Sequence, residues 1–375
     1  MSATAPAAGT LRILHTESSL GWGGQEIRVL SEARGVAARG HEVLLAAPAD
    51  SRIRAEASAF GVKVVALPIA RKRPGGWLAL RRLLARQEFD VVNTHSSTDT
   101  WLAALSCATL GNAPALVRTR HISAPAPRNA ATRWLYTRAT RRIVTTGERL
   151  REQVIRETGA DAANVVSIPT GIDLERYRPG DRAAARSRLG LPPDRAIVGI
   201  VATLRSWKGH RHLLRAMASL AAKDALLAIV GDGPQRAPLE ALAAELSLGE
   251  RVRFAGNQAD VVPWLHAFDL FCLPSYANEG VPQALMQAMA CGLAVLTTPI
   301  GSIEEIVADG TTGVLVPPGN VERLRAALDA LLADAARREA LGRSAREAAL
   351  ERFGEARMVE RMIEVFRAAA EMRRG

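Results

Sequence analysis

Long apolar segments are absent from this sequence. No run of 18 or more apolar residues occurs, and the most apolar stretch, residues 103–117, is interrupted by Ser106, Thr109, Asn112 and Pro114. Residues 1–10 are small and uncharged, with no basic region ahead of an apolar one. We therefore expect neither a membrane-spanning helix nor a signal peptide, and a cytoplasmic location.

Cysteine is also scarce. The three cysteines, Cys107, Cys272 and Cys291, are odd in number, follow no recognisable spacing and lie in apolar sequence. A disulfide framework or a cysteine-based metal site would need paired and patterned cysteines. We predict that all three are reduced core residues, as in a cytosolic protein.

Acidic residues are missing from one part of the chain. Residues 1–180 contain 25 Lys and Arg against 15 Asp and Glu, whereas residues 181–375 contain 24 against 23. Between residues 71 and 142 only Glu88, Asp90 and Asp99 are acidic. The 45 Arg against 4 Lys are typical of a coding bias, but a bias between two basic residues does not remove acids. The basic segment therefore indicates an anionic partner.

Short apolar runs alternate with helix-length segments along the chain, which is the pattern of βαβ units. The candidate strands are residues 11–16, 42–47, 62–67, 90–94, 115–119, 141–145, 196–203, 226–230, 252–255, 270–273 and 294–297. The runs are nearly continuously apolar, as expected for parallel strands covered by helices on both faces. We predict an α/β protein with two Rossmann-like, doubly wound parallel-sheet domains at residues 1–180 and 181–352. A terminal helix at residues 353–375 is expected to cross back to the first domain.

Loops that follow strands are the candidate binding sites, because open parallel sheets bind ligands beyond the carboxyl ends of their strands. The first such loop is Gly21-Trp22-Gly23-Gly24-Gln25-Glu26. Its glycines would let the backbone approach an anion at a helix N-terminus. The spacing is not Gly-x-Gly-x-x-Gly, which disfavours a nicotinamide or flavin enzyme. A tight strand-to-helix turn explains the loop equally well.

A second loop, Thr203 to His210, contains Arg205 and Lys208 between a strand and a helix. An Arg fork and a Lys point charge at that position can converge on one diphosphate. Taken alone, they are better explained as two solvated cations on a loop.

The most specific segment runs from Leu273 to Gly292. Glu279 follows a strand, and Gly280-Val281-Pro282 then opens a helix whose first N–H groups favour phosphate. Gln287 lies eight residues beyond Glu279, about two helical turns further along.

This segment resembles the signature of glycosyltransferase family 4, which consists of retaining enzymes with the GT-B fold of two domains facing a central cleft. The family signature is usually written as Glu, seven residues, Glu, with Gly directly after the first Glu and Ala-Met-Ala-Cys-Gly after the second. The resemblance covers nearly everything from Leu11 to Glu371. It includes residues 168–173 as an interdomain segment, residues 230–234 at the end of a strand near the base, and residues 312–316 as a late strand.

The resemblance implies a role for individual residues. Glu279 would bind hydroxyls of the transferred sugar, and His121 would lie near the anomeric carbon. The implied donor-binding residues are Gly23, Gly24, Arg205, Lys208, Gly231, Gly280, Val281 and Gln287. Two departures from the family fall on donor contacts, because Thr203 stands where the family usually has Arg and Gln287 where it has Glu.

The mechanism implied by the resemblance is transfer with retention, by front-side attack in which the donor β-phosphate accepts the proton of the acceptor. Cations and helix N–H groups can stabilise the departing diphosphate without a metal ion. No Asp-x-Asp motif occurs, and Asp173-Leu174-Glu175 belongs to the interdomain segment. We therefore expect a metal-independent enzyme without a cofactor.

The substrates are expected to be a UDP-sugar, rather than a GDP-sugar, carrying a hexose or N-acetylhexosamine, and a hydroxyl of a glycan or lipid-linked acceptor. Such an acceptor belongs to envelope polysaccharide or lipopolysaccharide synthesis. The acceptor or membrane side is predicted to include His95, Arg120, Arg128 and Arg133, although His95 is equally a structural histidine. Arg128 and Arg133, with Trp134, Tyr136, Arg138, Arg141 and Arg142, indicate an anionic membrane face at the cytoplasmic side of the inner membrane, not a nucleic-acid site.

Two other classes of protein remain open from the sequence. A UDP-sugar 2-epimerase of similar double architecture would convert its substrate without an acceptor. A non-catalytic nucleotide-sugar-binding protein would explain the missing Glu at position 287. The joint presence of His121, Arg205, Lys208 and Glu279 argues against the second.

Overall fold

A computed structural model describes residues 9–374. They form two compact units, one of residues 9–171 and 355–374 and one of Ile172–Gly354. The segment Met1–Ala8, on which part of the signal-peptide expectation rests, lies outside the described residues. The second unit begins before the predicted border at residue 180, because the Ile172 amide donates to the Phe353 carbonyl over 2.7 Å.

The first unit contains a seven-stranded parallel sheet in the order β3-β2-β1-β4-β5-β6-β7. Its strands are β1 (Arg12–Thr16), β2 (Glu42–Ala47), β3 (Val64–Ala66), β4 (Val91–Thr94), β5 (Ala115–Arg120), β6 (Arg142–Thr145) and β7 (Val165–Ser167). The connecting helices are α1 (Gly24–Ala37), α2 (Arg52–Glu56), α3 (Pro74–Arg86), α4 (Ser97–Ala108), α5 (Ala130–Trp134) and α6 (Glu148–Thr158). The strand order reverses at β1 and β4, and the crevice beyond their carboxyl ends is where such sheets bind ligands.

The second unit contains a six-stranded parallel sheet in the order β10-β9-β8-β11-β12-β13. Its strands are β8 (Ile197–Val201), β9 (Leu226–Val230), β10 (Val252–Gly256), β11 (Leu270–Leu273), β12 (Val295–Thr297) and β13 (Val314–Leu315). Its helices are α7 (Arg182–Leu189), α8 (His210–Ala218), α9 (Arg236–Glu245), α10 (Val262–Ala267), α11 (Gln283–Ala290), α12 (Val321–Ala333) and α13 (Ala335–Arg352). Here the order reverses at β8 and β11.

The last helix, α14 (Glu355–Arg374), completes the core of the first unit. Met362 and Phe366 are fully buried and pack in one cluster with Ile13 of β1. Close approach to α1 is possible because Gly35 has no side chain, since a Cβ there would lie 2.4 Å from a methyl group of Val359. This helix buries the face of the sheet that α1 alone does not cover.

The prediction of two parallel-sheet α/β domains is confirmed. β7 was not predicted, because it is a three-residue edge strand with a single fully buried side chain, Val165. Cys272 and Cys291 are buried and Cys107 is half-buried, and all three are free thiols. Within residues 9–374, no helix has both the length and the apolar content needed to cross a membrane.

Candidate functional site

The loop after β8 and the loop after β11 are held together by backbone contacts in the second unit. Gly209 has a positive φ of 79°, and a Cβ at this position would lie 1.9 Å from the Pro274 carbonyl oxygen. The Tyr276 amide donates to the Trp207 carbonyl over 2.8 Å. Glycine is therefore required at position 209 if Lys208 is to approach the segment that carries Glu279.

Lys208 and Glu279 form an ion pair at this place. The Lys208 Nζ lies 2.7 Å and 3.0 Å from the two carboxylate oxygens of Glu279. Their side chains are 19% and 5% exposed, so solvent screens the pair only partly. The Ser275 hydroxyl also donates to Glu279 Oε1 over 2.6 Å. The structure thus brings together two residues that the sequence predicted for one site and fixes the carboxylate from two sides.

Two positive φ values shape the backbone around Glu279. Asn278 has a φ of 54°, a conformation that asparagine tolerates better than most residues. Gly301, which follows β12, has a φ of 62°, and a Cβ there would lie 2.1 Å from the Glu279 carbonyl oxygen. Sequence reasoning missed Gly301, although Pro299-Ile300-Gly301 after a strand was a usable turn signal.

The helix after Glu279 offers backbone donors. Gly280 and Val281 are buried, and α11 begins two residues later at Gln283. The first N–H groups of a helix have no acceptor within the helix and favour an anion. Gln287 is 8% exposed on the same helix.

Two other residues predicted to bind the donor, Arg205 and Gly231, have different surroundings. Arg205 is exposed, with its guanidinium 5.8 Å from the centre of the Trp207 ring. The Gly231 amide is already bonded to the Gly256 carbonyl over 2.8 Å. A Cβ on Gly231 would lie 2.0 Å from the Ala202 carbonyl oxygen, so packing between strand ends by itself requires this glycine.

In the first unit, Gly23 and Gly24 begin α1, and Gly23 provides no side-chain cap for the helix. Glu17, just after β1, lies close by and was missed by sequence reasoning. It accepts from the Ser19 amide over 2.8 Å and from the Gln25 side chain over 2.5 Å. Burial, and secondarily the neighbouring Asp99, raises the pKa of Glu17 to about 8. Glu17 therefore carries little negative charge at neutral pH, and Glu26 is the acidic residue in the first turn of α1.

Three histidines form a chain at the carboxyl ends of β1, β4 and β5, with His15 inside β1 and His95 and His121 directly after their strands. His15 Nδ1 lies 3.0 Å from His95 Nε2, and His95 Nδ1 lies 3.1 Å from His121 Nε2. Burial lowers the pKa of His15 to about 3 and the pKa values of His95 and His121 well below the usual range. Each neutral ring has one N–H donor and one acceptor nitrogen. The two hydrogen bonds of the chain are therefore donated in the same direction, either from His15 toward His121 or the reverse. The predicted pair His95 and His121 is in direct contact, and His15 was missed.

The inner end of the histidine chain meets a buried charged pair. The Arg28 guanidinium lies 3.6 Å from Glu32, and the Asn93 amide donates to Glu32 over 3.0 Å. Burial raises the pKa of Glu32 to about 7. Ligand atoms of His15, Glu32 and His95 lie within 4.8 Å of one another, which is close enough for a metal ion. Both ring nitrogens of His95 are already bonded to histidines, and Arg28 supplies the local positive charge, so the cluster fits a metal poorly.

The predicted acceptor-side arginines divide into two groups. Arg120 is buried and donates to the Tyr136 hydroxyl over 2.7 Å, in a pocket that His95 and His121 also line. Arg128 and Arg133 are exposed on the surface, outside this pocket.

Comparison with known proteins gives the class of the two units. The family profile described as Glycosyltransferase Family 4 matches residues 22–176, and the profile Glycosyl transferases group 1 matches residues 181–348. The chain therefore belongs to glycosyltransferase family 4, with a group 1 domain as its second unit.

Individual relatives agree with this family. Proteins named D-inositol 3-phosphate glycosyltransferase are 37% identical over 229 residues in Nocardia farcinica and 34% identical over 265 residues in Mycobacterium ulcerans. These alignments cover 58% and 68% of this chain and 50% and 53% of the relatives. The chain thus spans about half the length of the curated relatives it matches.

Solved structures share the fold. A glycosyltransferase from Rickettsia africae superposes with a TM-score of 0.87 at 19% identity, over 96% of this chain and 98% of that one. Anabaena HepE in complex with UDP superposes with a TM-score of 0.83 at 22% identity, over 94% and 99%. At these identities the likeness concerns the fold alone.

Proposed function

We propose that the protein is a retaining glycosyltransferase that moves a hexose or N-acetylhexosamine from a UDP-sugar to a hydroxyl of an acceptor. The observation that supports this most is the pair of Lys208 and Glu279 beyond the ends of β8 and β11, beside the start of α11. A cation and helix N–H groups suit a diphosphate, and a fixed carboxylate suits sugar hydroxyls.

The chemistry assigned to these groups needs no metal ion. As the bond between the anomeric carbon and the diphosphate oxygen breaks, Lys208, Arg205 and the N-terminus of α11 stabilise the negative charge on the leaving group. The acceptor oxygen forms the new bond on the same face, and its proton passes to a β-phosphate oxygen. Glu279 holds the sugar hydroxyls, and His121 lies near the reacting carbon.

The choice of donor and acceptor substrates rests on similarity to known proteins. UDP is favoured as the donor nucleotide by the UDP complex of Anabaena HepE, whose fold the chain shares. A hydroxyl acceptor agrees with the relatives named D-inositol 3-phosphate glycosyltransferase. The acceptor class we propose is a glycan or a lipid-linked glycan of the cell envelope, as in polysaccharide or lipopolysaccharide synthesis.

A peripheral position on the cytoplasmic face of the inner membrane is part of this proposal. Arg128, Arg133 and Arg138 are exposed and close together in sequence. Each such cation adds about 1 kcal/mol near an anionic bilayer. Sedimentation with anionic but not neutral liposomes, lost at high salt, is the expected result; no sedimentation with either would contradict the membrane part.

The test of the reaction begins with a panel of UDP- and GDP-sugars in a thermal shift assay. Stabilising donors are then incubated with candidate acceptors, and products are analysed by mass spectrometry and NMR. We expect a new glycoside with the anomeric configuration of the donor, lost in Lys208→Ala and kept in the surface variant Glu250→Ala. Conversion of the UDP-sugar without an acceptor would indicate a 2-epimerase, and donor binding without any product would indicate a binding protein.

A further inference from the structure

A pocket of about 260 Å³ lies in the first unit, beyond the carboxyl ends of β4 and β5. His95 and His121 line one part of it. Three cationic side chains line the rest, those of Lys72, Arg118 and Arg120. Two of these three cations, Lys72 and Arg118, carried no assigned role in the sequence prediction.

Arg118 is a buried cation whose neighbours do not neutralise it. It is 8% exposed, and its guanidinium lies 4.5 Å from the centre of the Tyr136 ring. Within the described part of the chain, its side chain has neither a carboxylate at ion-pair distance nor a hydrogen-bond acceptor. A cation–π contact offsets only part of the cost of removing a guanidinium from water. Burial accordingly lowers the pKa of Arg118.

Among the residues that the structure describes, the other two cations have only neutral hydrogen-bond partners. Lys72 Nζ donates to the Ser97 hydroxyl over 3.3 Å and lies 5.7 Å from the centre of the Trp101 ring. Arg120 donates to the Tyr136 hydroxyl and to the carbonyl groups of Ile122 and Ala124. Arg118 lowers the pKa of Lys72, after the effect of burial, because the two cations repel each other.

The nearest acid, Asp99, compensates this charge only in part. Asp99 is fully buried at the start of α4 and accepts from the Thr16 hydroxyl, from the His95 and Ser96 amides and from the Ser96 hydroxyl. Burial raises its pKa, which weakens its negative charge further. The pocket therefore holds an excess of positive charge that a bound anion would neutralise.

We propose that this pocket binds a phosphoryl group of the acceptor. Arg118 presents two donors in a fork, and Lys72 presents a point charge at the mouth. A phosphate carries up to two negative charges, which matches the unpaired cations better than a single carboxylate does. The site next to His121 would then hold a phosphorylated polyol or sugar with a hydroxyl toward the reacting carbon. This inference rests on the proposed function only in calling the bound molecule an acceptor.

The test measures binding in the absence of any donor. Inorganic phosphate, glucose 6-phosphate and glucose are titrated calorimetrically into the wild type, into Arg118→Gln and into Lys72→Gln. We expect both anions to bind and glucose not to bind. Loss of a charge-assisted hydrogen bond should weaken the phosphate affinity by about 10- to 150-fold in Arg118→Gln. Arg82→Gln is the matched control, because it removes the same charge from an exposed position on α3.

The results of the titration test the phosphoryl site independently of the proposed glycosyl transfer. Phosphate affinity that is unchanged in both pocket variants, or absent from the wild type, would overturn the phosphoryl site even if glycosyl transfer is observed. Phosphate binding that depends on Arg118 supports the site even if no transfer is found. Lys72 is exposed, so Lys72→Gln carries the test if Arg118→Gln fails to fold. Vesicles containing phosphatidic acid distinguish the sources, since binding to them alone, lost in the pocket variants, would assign the phosphoryl group to a lipid.

Discussion

The two units both place cations near the carboxyl ends of their parallel strands but neutralise them differently. In the second unit, Lys208 is held by both oxygens of Glu279, which Ser275 also fixes. In the first unit, Arg118 and Lys72 have only an aromatic face and neutral acceptors. An internal ion pair pre-positions its own groups, whereas unpaired cations take their counter-charge from a ligand. The first site is therefore expected to depend on the charge of its ligand more strongly than the second.

The units also differ in how they treat buried titratable groups. The first unit contains His15 with a pKa of about 3, Glu17 with a pKa of about 8 and Glu32 with a pKa of about 7. The causes in each case begin with burial, so at neutral pH His15 is neutral, Glu17 is largely protonated and Glu32 is about half ionised. In the second unit, His210 is the buried histidine, with its pKa lowered by burial to about 4. The stability of the first unit should respond more strongly to acid.

The largest expected effect concerns the internal ion pair. Glu279→Ala should lower turnover by about 10²- to 10³-fold, since a group positioned for the transition state is lost. UDP affinity should change little, because the carboxylate is assigned to the sugar and Lys208 becomes freer to bind phosphate. Turnover and UDP titration are measured side by side, with Glu250→Ala as a surface control. A collapse of UDP affinity as large as the loss of turnover would show that Glu279 serves the diphosphate instead.

The acid response of the first unit is the next largest effect. His15 in the unfolded chain takes up a proton near its ordinary pKa of 6.5, whereas in the folded protein it stays neutral until about pH 3. Between these values the unfolded state binds more protons, so stability is lost as the pH falls. From pH 6.5 to pH 4 the loss from His15 alone is about 3 kcal/mol.

His15→Phe isolates this contribution. The variant keeps an aromatic ring against Phe366, whose ring centre lies 6.0 Å from that of His15, but it cannot take up a proton. It should start less stable by about 1–3 kcal/mol, because His95 Nε2 loses its partner. Urea unfolding at each pH should show the two stabilities converging below pH 6.5, and parallel curves would contradict the assignment. Glu17 and Glu32 titrate in both proteins and largely cancel in the comparison.

The fold was predictable from sequence because its strands are almost continuously buried. Runs such as Leu226–Val230 and Leu270–Leu273 are apolar at every position, and the structure places strands at those same residues. β7 was not predicted, because a strand of three residues at a sheet edge is too short to show a periodic pattern. The border between the units was predicted at residue 180 and lies at Gly171 and Ile172, within the interdomain segment 168–173 that the resemblance gave. Its place depends on the pairing of Ile172 with Gly354, which are far apart in sequence.

The candidate site was predictable only where a motif is local. Glu279 and Lys208 were identified from their loops, and their contact of 2.7 Å follows from the way parallel strand ends converge. Glu17 and His15 escaped because a single polar residue at the end of an apolar run has no pattern to mark it. The role of Arg118 was not predicted, because its lack of a counter-charge depends on which residues surround it in the fold and cannot be read from the sequence.

A smaller effect is expected from the cations assigned to the diphosphate. Arg205→Ala and Lys208→Ala should each cost about 1.5–3 kcal/mol of UDP affinity while uridine binding stays nearly constant. Arg205 is exposed and, within residues 9–374, pairs with no acid, so its substitution should leave the fold intact. Lys208→Ala also removes the partner of Glu279, so Lys208→Gln is measured beside it. Equal losses of UDP and uridine affinity would contradict a diphosphate role. A loss of UDP affinity in only one variant would assign diphosphate binding to that cation.

The smallest effect concerns Gln287, which is 8% exposed on α11 where the family has Glu. By the resemblance, the family's Glu at this position would accept hydrogen bonds from the two ribose hydroxyls of the donor. An amide can accept from one hydroxyl and donate to the other, so ribose binding survives without a charge. Gln287→Ala removes both bonds and should cost about 1–3 kcal/mol, or roughly 5- to 150-fold in UDP affinity. Turnover at saturating donor should change much less, since the ribose is remote from the reacting carbon.

Gln287→Glu sharpens the same comparison, because it adds a second carboxylate to the candidate site that already contains Glu279. The variant should bind UDP within a few-fold of the wild type and retain turnover, since either side chain can hold a ribose. Titration with UDP and with 2′-deoxy-UDP reports the ribose contact directly, and Gln287→Ala should abolish the preference between the two. If Gln287→Ala leaves UDP affinity unchanged while Gln287→Glu creates activity that the wild type lacks, the glutamine is a lesion and the protein binds its nucleotide sugar without transferring it.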